Sequence, residues 1–461
     1  MMLSLSCICM HAQDYASRYT GLPVEVAAVT PVKFPSRTVS LTDFGAKGDG
    51  MTLCSEAFSR AIESLSAEGG GRLHIPAGVW LTGPLELKSD IELHLDRNAI
   101  IYFSPDKELY VDPSPKATRV RACISANGCR NIGITGEGII DGNGAQWRPV
   151  KRGKVSAEEW KTFKRMGGVE RAEGSLWYPW EFKGVTHEVA ATPEKQEKMR
   201  NDLFRVNNCE NILLEGVTFQ NAPKFHVHPF NSVNVIIDGI TVRCPWNAQN
   251  GDAIDISDCH RVLIVNATID CGDDGLCMKS GSFKPKAPVN GCEDILIEDC
   301  TVYHAHGGFV IGSEDICGMH RIVVRDCRFA GTDTGLRFKS AIGRGGKTGD
   351  IYISDIVMTD IKNEAVIFEC SYADRPAGSK DSDVSKPVVR ENIPEFTDIH
   401  ISGVTCRGCR TAVSATGIEG LECVHGIDIS NSTFVYDVNA TVIKDAEVKF
   451  TDVTFEPARK L

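Results

Sequence analysis

The chain has 461 residues, of which 42% are hydrophobic, and this is enough to bury a substantial core. Its formal net charge of −11 argues against a nucleic-acid partner, and also against an acidic polymer unless a local basic patch overrides the global field. No segment approaches the roughly eighteen continuous apolar residues of a membrane-spanning helix, so we expect no membrane span.

The N-terminal residues 1–13, MMLSLSCICMHAQ, are interpreted as a truncated signal peptide, with a disordered tail as the alternative. They are apolar and include small residues, but they have no basic stretch and the apolar run is short for a signal. Residues 36–461 are predicted to form one elongated domain.

A helix is predicted near the start of this domain, in SEAFSRAIESLSAEGGG. Ser55 is a suitable N-cap, and Gly69 to Gly71 end the pattern. We expect this amphipathic helix to cover the open end of a repeat fold. The apolar residues at helical spacing are Ala57, Phe58, Ala61, Ile62 and Leu65.

One short pattern recurs along the rest of the chain: an apolar alternation, a small or acidic residue, and a second apolar alternation. Its copies begin 21 to 33 residues apart, except at two longer gaps. This spacing is too short for a strand-helix-strand unit and too irregular for propeller blades. It predicts an all-β fold, a right-handed, single-stranded parallel β-helix in which like residues of successive coils form ladders. The copies start at Asn131, Asn211, Asn234, Arg261, Asp294, Arg321, Asp350, Asp398, Gly426 and Glu447.

Two polar stretches interrupt the repeats, near residues 146–199 and 375–394, and are predicted to be loops on the outside. Most of the 18 cysteines are interpreted as small buried residues, with a few disulfides as the alternative. Cys300 and Cys327 hold the same place in their repeats and are predicted to form a ladder.

Aspartates gather in the coils that follow residue 250. Asp252 and Asp273 are 21 residues apart, which is one coil, so we expect them side by side with their backbones roughly 5 Å apart. Gly272 and Gly275 flank Asp273 and Asp274 and permit a turn that exposes both acids. Three carboxylates in one patch predict a raised pKa for at least one of them. A solvated turn and a calcium site are the alternatives.

Cations follow one and two coils later. Arg337 and Lys339 are two residues apart in GLRFKS, so they lie on one face of a strand, and His306 lies in the coil before them. Such a patch is suited to hold a carboxylate of a substrate although the whole chain is acidic. Lys279, and the GRGGK run with Arg344 and Lys347, are interpreted as solvated charges near this groove.

The motifs NGD from Asn250, DD from Asp273, HG from His306 and RFK from Arg337 resemble, in this order, those of the polygalacturonases, glycoside hydrolase family 28. The resemblance extends from DFGAKGDG at residue 43 onward. It departs from the family at Ala305, where glycine is usual, which puts the local backbone in doubt.

The resemblance implies inverting hydrolysis of the α-1,4 bonds between galacturonic acid units, with neither a cofactor nor a metal. Asp273 would be the general acid, and Asp252 and Asp274 would activate water. The remaining implied site residues are His306 in the catalytic set and Asn250, Arg337, Lys339 and Tyr372 in substrate binding.

The insertion near residues 146–199 carries Trp147, Trp160, Trp177 and Trp180 together with many cations. Aromatic faces stack on sugars and cations hold carboxylates, so we predict that it walls off one end of the groove. Exo action from the non-reducing end would follow. The alternative is that these tryptophans only pack the loop onto the β-helix.

The expected partner is a pectic polysaccharide or an oligogalacturonide, bound by a monomer in a secreted or periplasmic location. Other functions stay open. An endo-acting polygalacturonase or a rhamnogalacturonan hydrolase is the nearest alternative. A pectate lyase would need clustered calcium-binding acids, and a non-catalytic β-helix would not need the ordered set of motifs.

Overall fold

The computed structural model describes residues 15–112, 114, 120–179, 200–281, 291–372 and 392–459. Short strands follow one another around successive coils, and each pairs in parallel with the strands one coil before and one coil after. The fold is the predicted parallel β-helix. Of residues 1–13, the candidate signal peptide, none is described, and most of residues 375–394 also lie outside the described residues.

The strands form three series, one on each face of the β-helix. The first series comprises Leu85–Glu86, Ile124–Asn127, Phe204–Asn207, Val227–Phe230, Ile254–Ser257, Leu276–Ser280, Gly307–Asp315, Thr334–Lys339 and Glu364–Glu369. The second comprises Thr38–Ser40, Gly71–Ile75, Ile91–Leu95, Arg130–Gly136, Glu210–Glu215, Val233–Asp238, His260–Val265, Cys292–Glu298, Met319–Arg325, Lys347–Thr348, Ile351–Ser354, Glu395–Phe396, Ile399–Ser402, Ile427–Lys444 and Val448–Pro457. The third comprises Gly78–Thr82, Ala99–Phe103, Ile139–Asp141, Thr218–Gln220, Thr241–Arg243, Thr268–Asp270, Thr301–Val302, Arg328–Ala330, Val357–Thr359 and Thr405–Thr416.

The first residue of the repeated pattern marks the turn into the second series. Asn211, Asn234 and Asp294 have φ values of 61°, 61° and 57°, in the left-handed region that Asn and Asp tolerate better than most residues. The asparagines also form a ladder, because Asn234 donates to Asn211 and Asn211 donates to Asn131, each at 2.8 Å. The repeat in the sequence therefore reflects a turn that recurs in successive coils.

The interior of the β-helix is filled by stacked apolar side chains. Phe338 and Phe368 stack with their ring centroids 4.4 Å apart, and Phe309 meets Phe338 edge-on at 6.3 Å. Cys300 and Cys327 are both buried and lie on adjacent coils, where the amide of Arg328 donates to the carbonyl of Cys300. The predicted cysteine ladder is thus confirmed, and Cys300 and Cys327 are both free thiols.

The predicted capping helix, α1, spans Ser55–Ala67 and buries all five of the expected apolar residues. Ser55 is its first residue rather than its cap, and its hydroxyl accepts a hydrogen bond from the amide of Gly83 at 2.7 Å. The segment before the domain also has a covering role. Tyr15, Val26 and Val29 pack on outward apolar residues of the second series, including Ile236 and Leu263.

The first insertion is more than an outer loop, which corrects the prediction. Its strands Val150–Lys151, Val169–Arg171 and Leu176–Tyr178 form an antiparallel sheet, and helix α2, Ala157–Arg165, packs beside them. Trp160 and Trp177 are buried with Val150 in a small core of their own. We call residues 144–178 the inserted unit. None of the helices in the described residues is long and apolar enough to cross a membrane.

Candidate active site

The candidate site lies on the outer face of the first series, where consecutive strands present polar residues at alternate positions. Ile254, Ile256, Leu276 and Met278 point into the core, so Asp255 and Cys277 between them point outward. The same ladder continues through Val310 to Arg337. Alternation therefore brings acids and cations from four coils onto one surface.

The register differs by one residue from the predicted one. Ile254 pairs with Leu276, and the amide of Ala253 donates to the carbonyl of Asp274 at 2.9 Å. Asp252 is thus in line with Asp274, not with Asp273 as expected. Gly272 lies so close to the preceding turn that a Cβ there would be 2.6 Å from the carbonyl oxygen of Ala248. This turn needs glycine for space, and it directs both acids into the site.

Asp252 and Asp255 form a buried acidic pair around Lys279. The Lys279 Nζ is 3.4 Å from Asp255 Oδ1, 4.0 Å from Asp252 Oδ2 and 3.6 Å from Glu314 Oε2. Burial, and then the charges of Asp255 and Asp273, raise the pKa of Asp252 well above its ordinary value. Burial raises the pKa of Asp255 to about 7, against the opposing effect of Lys279. The prediction of a raised pKa therefore holds for Asp252 and also for Asp255, which was not predicted. The Lys279 side chain is only 12% exposed, so the interpretation of it as a solvated charge is wrong.

Asp273 makes contacts that favour its ionised form. Its Oδ1 is 2.9 Å from Nδ1 of His306, and its Oδ2 accepts from the backbone amide of Asn250 at 3.2 Å. Burial would raise the pKa of Asp273, but His306 beside it, and then Lys154 and Lys339, hold that pKa below its ordinary value. The pKa values of Asp252 and Asp273 are therefore shifted in opposite directions.

Asp274 contacts two cations, Arg337 and Lys339, which we call the cationic wall. Its Oδ2 accepts from Lys339 Nζ at 2.7 Å, and Arg337 Nη1 is 3.5 Å from its Oδ1. Burial opposes ionisation, yet these two cations hold the pKa of Asp274 below its ordinary value. The Tyr372 ring lies 5.4 Å from the Arg337 guanidinium and 5.2 Å from Lys339 Nζ. The expected substrate-binding residues Arg337, Lys339 and Tyr372 are thus brought together.

Ligand atoms of Asp273, Asp274 and His306 lie within 4.8 Å of one another, as in a metal site. However, Lys339 and Arg337 already face the oxygens of Asp274, and a bound cation would have to compete with both of them. The donor set therefore fits an ion-paired acid cluster better than a metal centre.

Several site residues were not predicted from the sequence. Arg200 donates to Asn250 Oδ1 at 2.8 Å and to the carbonyl of Gln249 at 2.8 Å, which fixes the turn before Asp252. Trp246 is 55% exposed on that turn. Lys154, from the inserted unit, donates to the carbonyl of Gly272 at 3.1 Å and lies 3.1 Å from His306 Nε2. Of these residues, only Trp246 could have been found from the sequence, because CPWNAQ directly precedes the NGD motif.

The tryptophans of the inserted unit do not provide a sugar-stacking face. Trp147 is fully buried against Tyr110, with ring centroids 4.8 Å apart, and Trp160 and Trp177 are buried in the small core of the unit. The interpretation as stacking residues is wrong for these three, because their faces are used in packing. Trp180 lies outside the described residues.

Comparison with known proteins agrees with this geometry. The chain is 27% identical over 469 aligned positions to an exo-poly-alpha-D-galacturonosidase of Dickeya chrysanthemi, covering 96% of this chain and 75% of that protein. It matches the crystal structure of a hyperthermoactive exopolygalacturonase from Thermotoga maritima with a TM-score of 0.74 and 30% identity, over 93% of this chain and 94% of that one. A polygalacturonase from Erwinia carotovora ssp. carotovora shares the fold, with a TM-score of 0.63 at 22% identity, over 94% and 98% of the two chains. The family model for glycosyl hydrolases family 28 matches residues 152–394, and the chain therefore belongs to this family of glycoside hydrolases.

Proposed function

We propose that this glycoside hydrolase cleaves the α-1,4 bonds between galacturonic acid units of polygalacturonate, with inversion. The observation that carries the proposal is the cationic wall of Arg337 and Lys339 directly beside the acids. A polymer with one carboxylate per sugar needs such a wall at the scissile bond, and a neutral polysaccharide does not. The names of the similar proteins support the same substrate.

We assign the general acid to Asp273 and the activation of water to Asp252 and Asp274. The three carboxylates are close enough for their titrations to be coupled, so the apparent pKa values belong to the group rather than to one residue. Asp273 accepts a proton only under acidic conditions, because His306 and Lys154 disfavour its neutral form. Activity is expected to fall as the pH rises and Asp273 loses that proton.

Substrate charge provides the sharpest test of the cationic wall. Methyl esterification removes the carboxylate that Arg337 and Lys339 would hold. Fully de-esterified polygalacturonate should therefore be hydrolysed much faster than highly esterified pectin, measured as reducing ends released. Equal rates on both polymers would give the cationic wall another role.

Inversion is tested by proton nuclear magnetic resonance of the first sugar released. The β-anomer should appear first, because water attacks from the face opposite to the leaving oxygen. Initial appearance of the α-anomer would require a covalent intermediate on an unassigned nucleophile.

We also propose exo action from the non-reducing end. Lys154 of the inserted unit contacts the turn that carries Asp273 and Asp274, which we call the acid-bearing turn. A folded part of the chain therefore adjoins the site on its N-terminal side. A time course on polygalacturonate should give monomer with a slow fall in viscosity. An early ladder of oligomers with a rapid fall would establish endo action. We also propose a secreted or periplasmic location, because the polymeric substrate lies outside the cell. The protein is proposed to act as a monomer.

A further inference from the structure

The side chain of Lys154 joins the inserted unit to the turn that carries Asp273 and Asp274. This residue ends the short helical turn Arg152–Lys154, which follows a strand of the unit's own sheet. Its Nζ is 3.1 Å from the carbonyl oxygen of Gly272 and 3.1 Å from Nε2 of His306. Gly272 directly precedes Asp273, and His306 contacts Asp273. Lys154 therefore binds two groups that adjoin the candidate acid, one in the backbone and one in a side chain.

The chemistry of these groups gives the contact a direction. An ammonium group only donates hydrogen bonds, so Nε2 of His306 must accept and carries no proton in this arrangement. The proton of a neutral imidazole is then on Nδ1, which is 2.9 Å from Asp273 Oδ1. A charged imidazolium would instead place two cations 3.1 Å apart.

The other charged groups near His306 do not cancel this effect. Asp333 Oδ2 is 3.9 Å from Nε2 and would favour an imidazolium, but Asp333 is itself paired with Lys362 at 2.9 Å. Asp273 favours the imidazolium from the other side, through its contact with Nδ1. Lys154 is the cation in direct contact with the ring.

We infer that Lys154 is a positioning residue that holds His306 neutral, with its Nδ1 proton toward Asp273, and thereby couples the inserted unit to the acid. The inference rests on the proposed hydrolysis for its kinetic readout. Without Lys154, Nε2 is free to take up a proton, and the imidazolium formed 2.9 Å from Asp273 disfavours the protonated acid. Loss of the Lys154 charge itself favours the protonated acid. However, Lys154 Nζ contacts Gly272 and His306, whereas the imidazolium would lie directly against Asp273, so we expect the effect of the imidazolium to dominate.

The test compares three variants on polygalacturonate across pH. Lys154→Met should lower kcat about ten- to a hundredfold with little change in KM, and the limb on which activity falls with rising pH should move to lower pH. Lys154→Arg keeps a donor and should restore most of the wild-type profile. Lys161→Met is the matched control, since Lys161 lies in the same unit, is 67% exposed and pairs only with Glu158 among the described contacts.

A readout independent of activity separates this inference from the proposed function. In protein labelled with ¹⁵N-histidine, the His306 signals are those that His306→Gln removes. They should show a neutral, Nδ1-protonated ring in the wild type and an imidazolium that persists to higher pH in Lys154→Met. An unchanged histidine titration overturns the inference even in an active enzyme. A raised KM at unchanged kcat also overturns it, because Lys154 would then bind substrate.

Discussion

The acid-bearing coils and the inserted unit are stabilised in different ways, although both contribute to one site. In the coils, Asp252, Asp274 and Arg337 are held by strand register, since every neighbour is one coil away and pairs in parallel. The inserted unit has its own sheet and its own core around Trp177, and it reaches the acids through Lys154. The acids and cations therefore depend on the coils for their positions, whereas Lys154 depends on a unit with its own core, which can be altered separately.

The largest effect should come from the acid in the coils. Asp273→Asn removes the proposed general acid while leaving a side chain of equal size, and we expect turnover to fall on the order of a thousandfold. The measurement is kcat on polygalacturonate, with circular dichroism to confirm folding. Asp270→Asn is the matched control, because Asp270 also contacts a histidine, His304 at 3.0 Å, but its side chain is 48% exposed. Near-normal turnover in Asp273→Asn would contradict the assignment.

The next largest effect should be a loss of stability when the cationic wall is altered. Lys339→Met leaves Asp274 buried without its closest counter-charge, so we expect a loss of about 3 kcal/mol in the free energy of unfolding near neutral pH. The pKa of Asp274 is lowered in the folded state, so this stabilisation is present above the ordinary Asp pKa and is lost as the pH falls through the folded value.

Urea unfolding at several pH values measures this change. The difference between wild type and Lys339→Met should shrink toward low pH. Lys347→Met serves as control, because Lys347 is 63% exposed and its pair with Glu395 should contribute little. A difference that is constant with pH would mean that packing rather than charge is lost.

Disrupting the small core of the inserted unit should change the products. Trp177→Ala removes a ring that packs 5.1 Å from Phe163 and donates to the carbonyl of Gly167, at a local cost of about 3 kcal/mol. We expect oligomers to appear among the early products while the β-helix keeps its main unfolding transition. Met166→Ala, at a 69% exposed position in the same unit, should leave the products unchanged. Monomer as the sole product of Trp177→Ala would separate the unit from chain-end selection.

A smaller effect is expected at the exposed aromatic beside the acids. Trp246→Ala should raise KM several-fold at nearly constant kcat, because Trp246 is 55% exposed and is suited to stack on a sugar. Initial rates on short oligogalacturonides measure this change. An unaltered KM would show that the ring faces away from the substrate.

The smallest effect should come from removal of metal ions. Because Arg337 and Lys339 occupy the surroundings of Asp274, dialysis against a chelator should leave the rate unchanged within error. Loss of activity that calcium restores would favour a metal-dependent site and reopen the lyase alternative.

The sequence alone determined the coils, the capping helix and the identity of the acids and cations. Each of these depends on local information: alternation along a strand, helical spacing in α1, and the residues, mostly Asn or Asp, that adopt the left-handed turn at the start of second-series strands. The order of the motifs then followed from the chain itself. Even the cysteine ladder of Cys300 and Cys327 could be predicted, because it repeats with the coil.

Only the tertiary structure decided the register and the long-range contacts. The lengths of the turns between strands set the register, so Asp252 meets Asp274 rather than Asp273, a difference that spacing could not resolve. Lys279 was interpreted as a solvated charge, but its side chain is only 12% exposed because its Nζ lies among the carboxylates of Asp255, Asp252 and Glu314. Lys154 meets His306 across 152 residues of chain, and no local pattern carries such a contact.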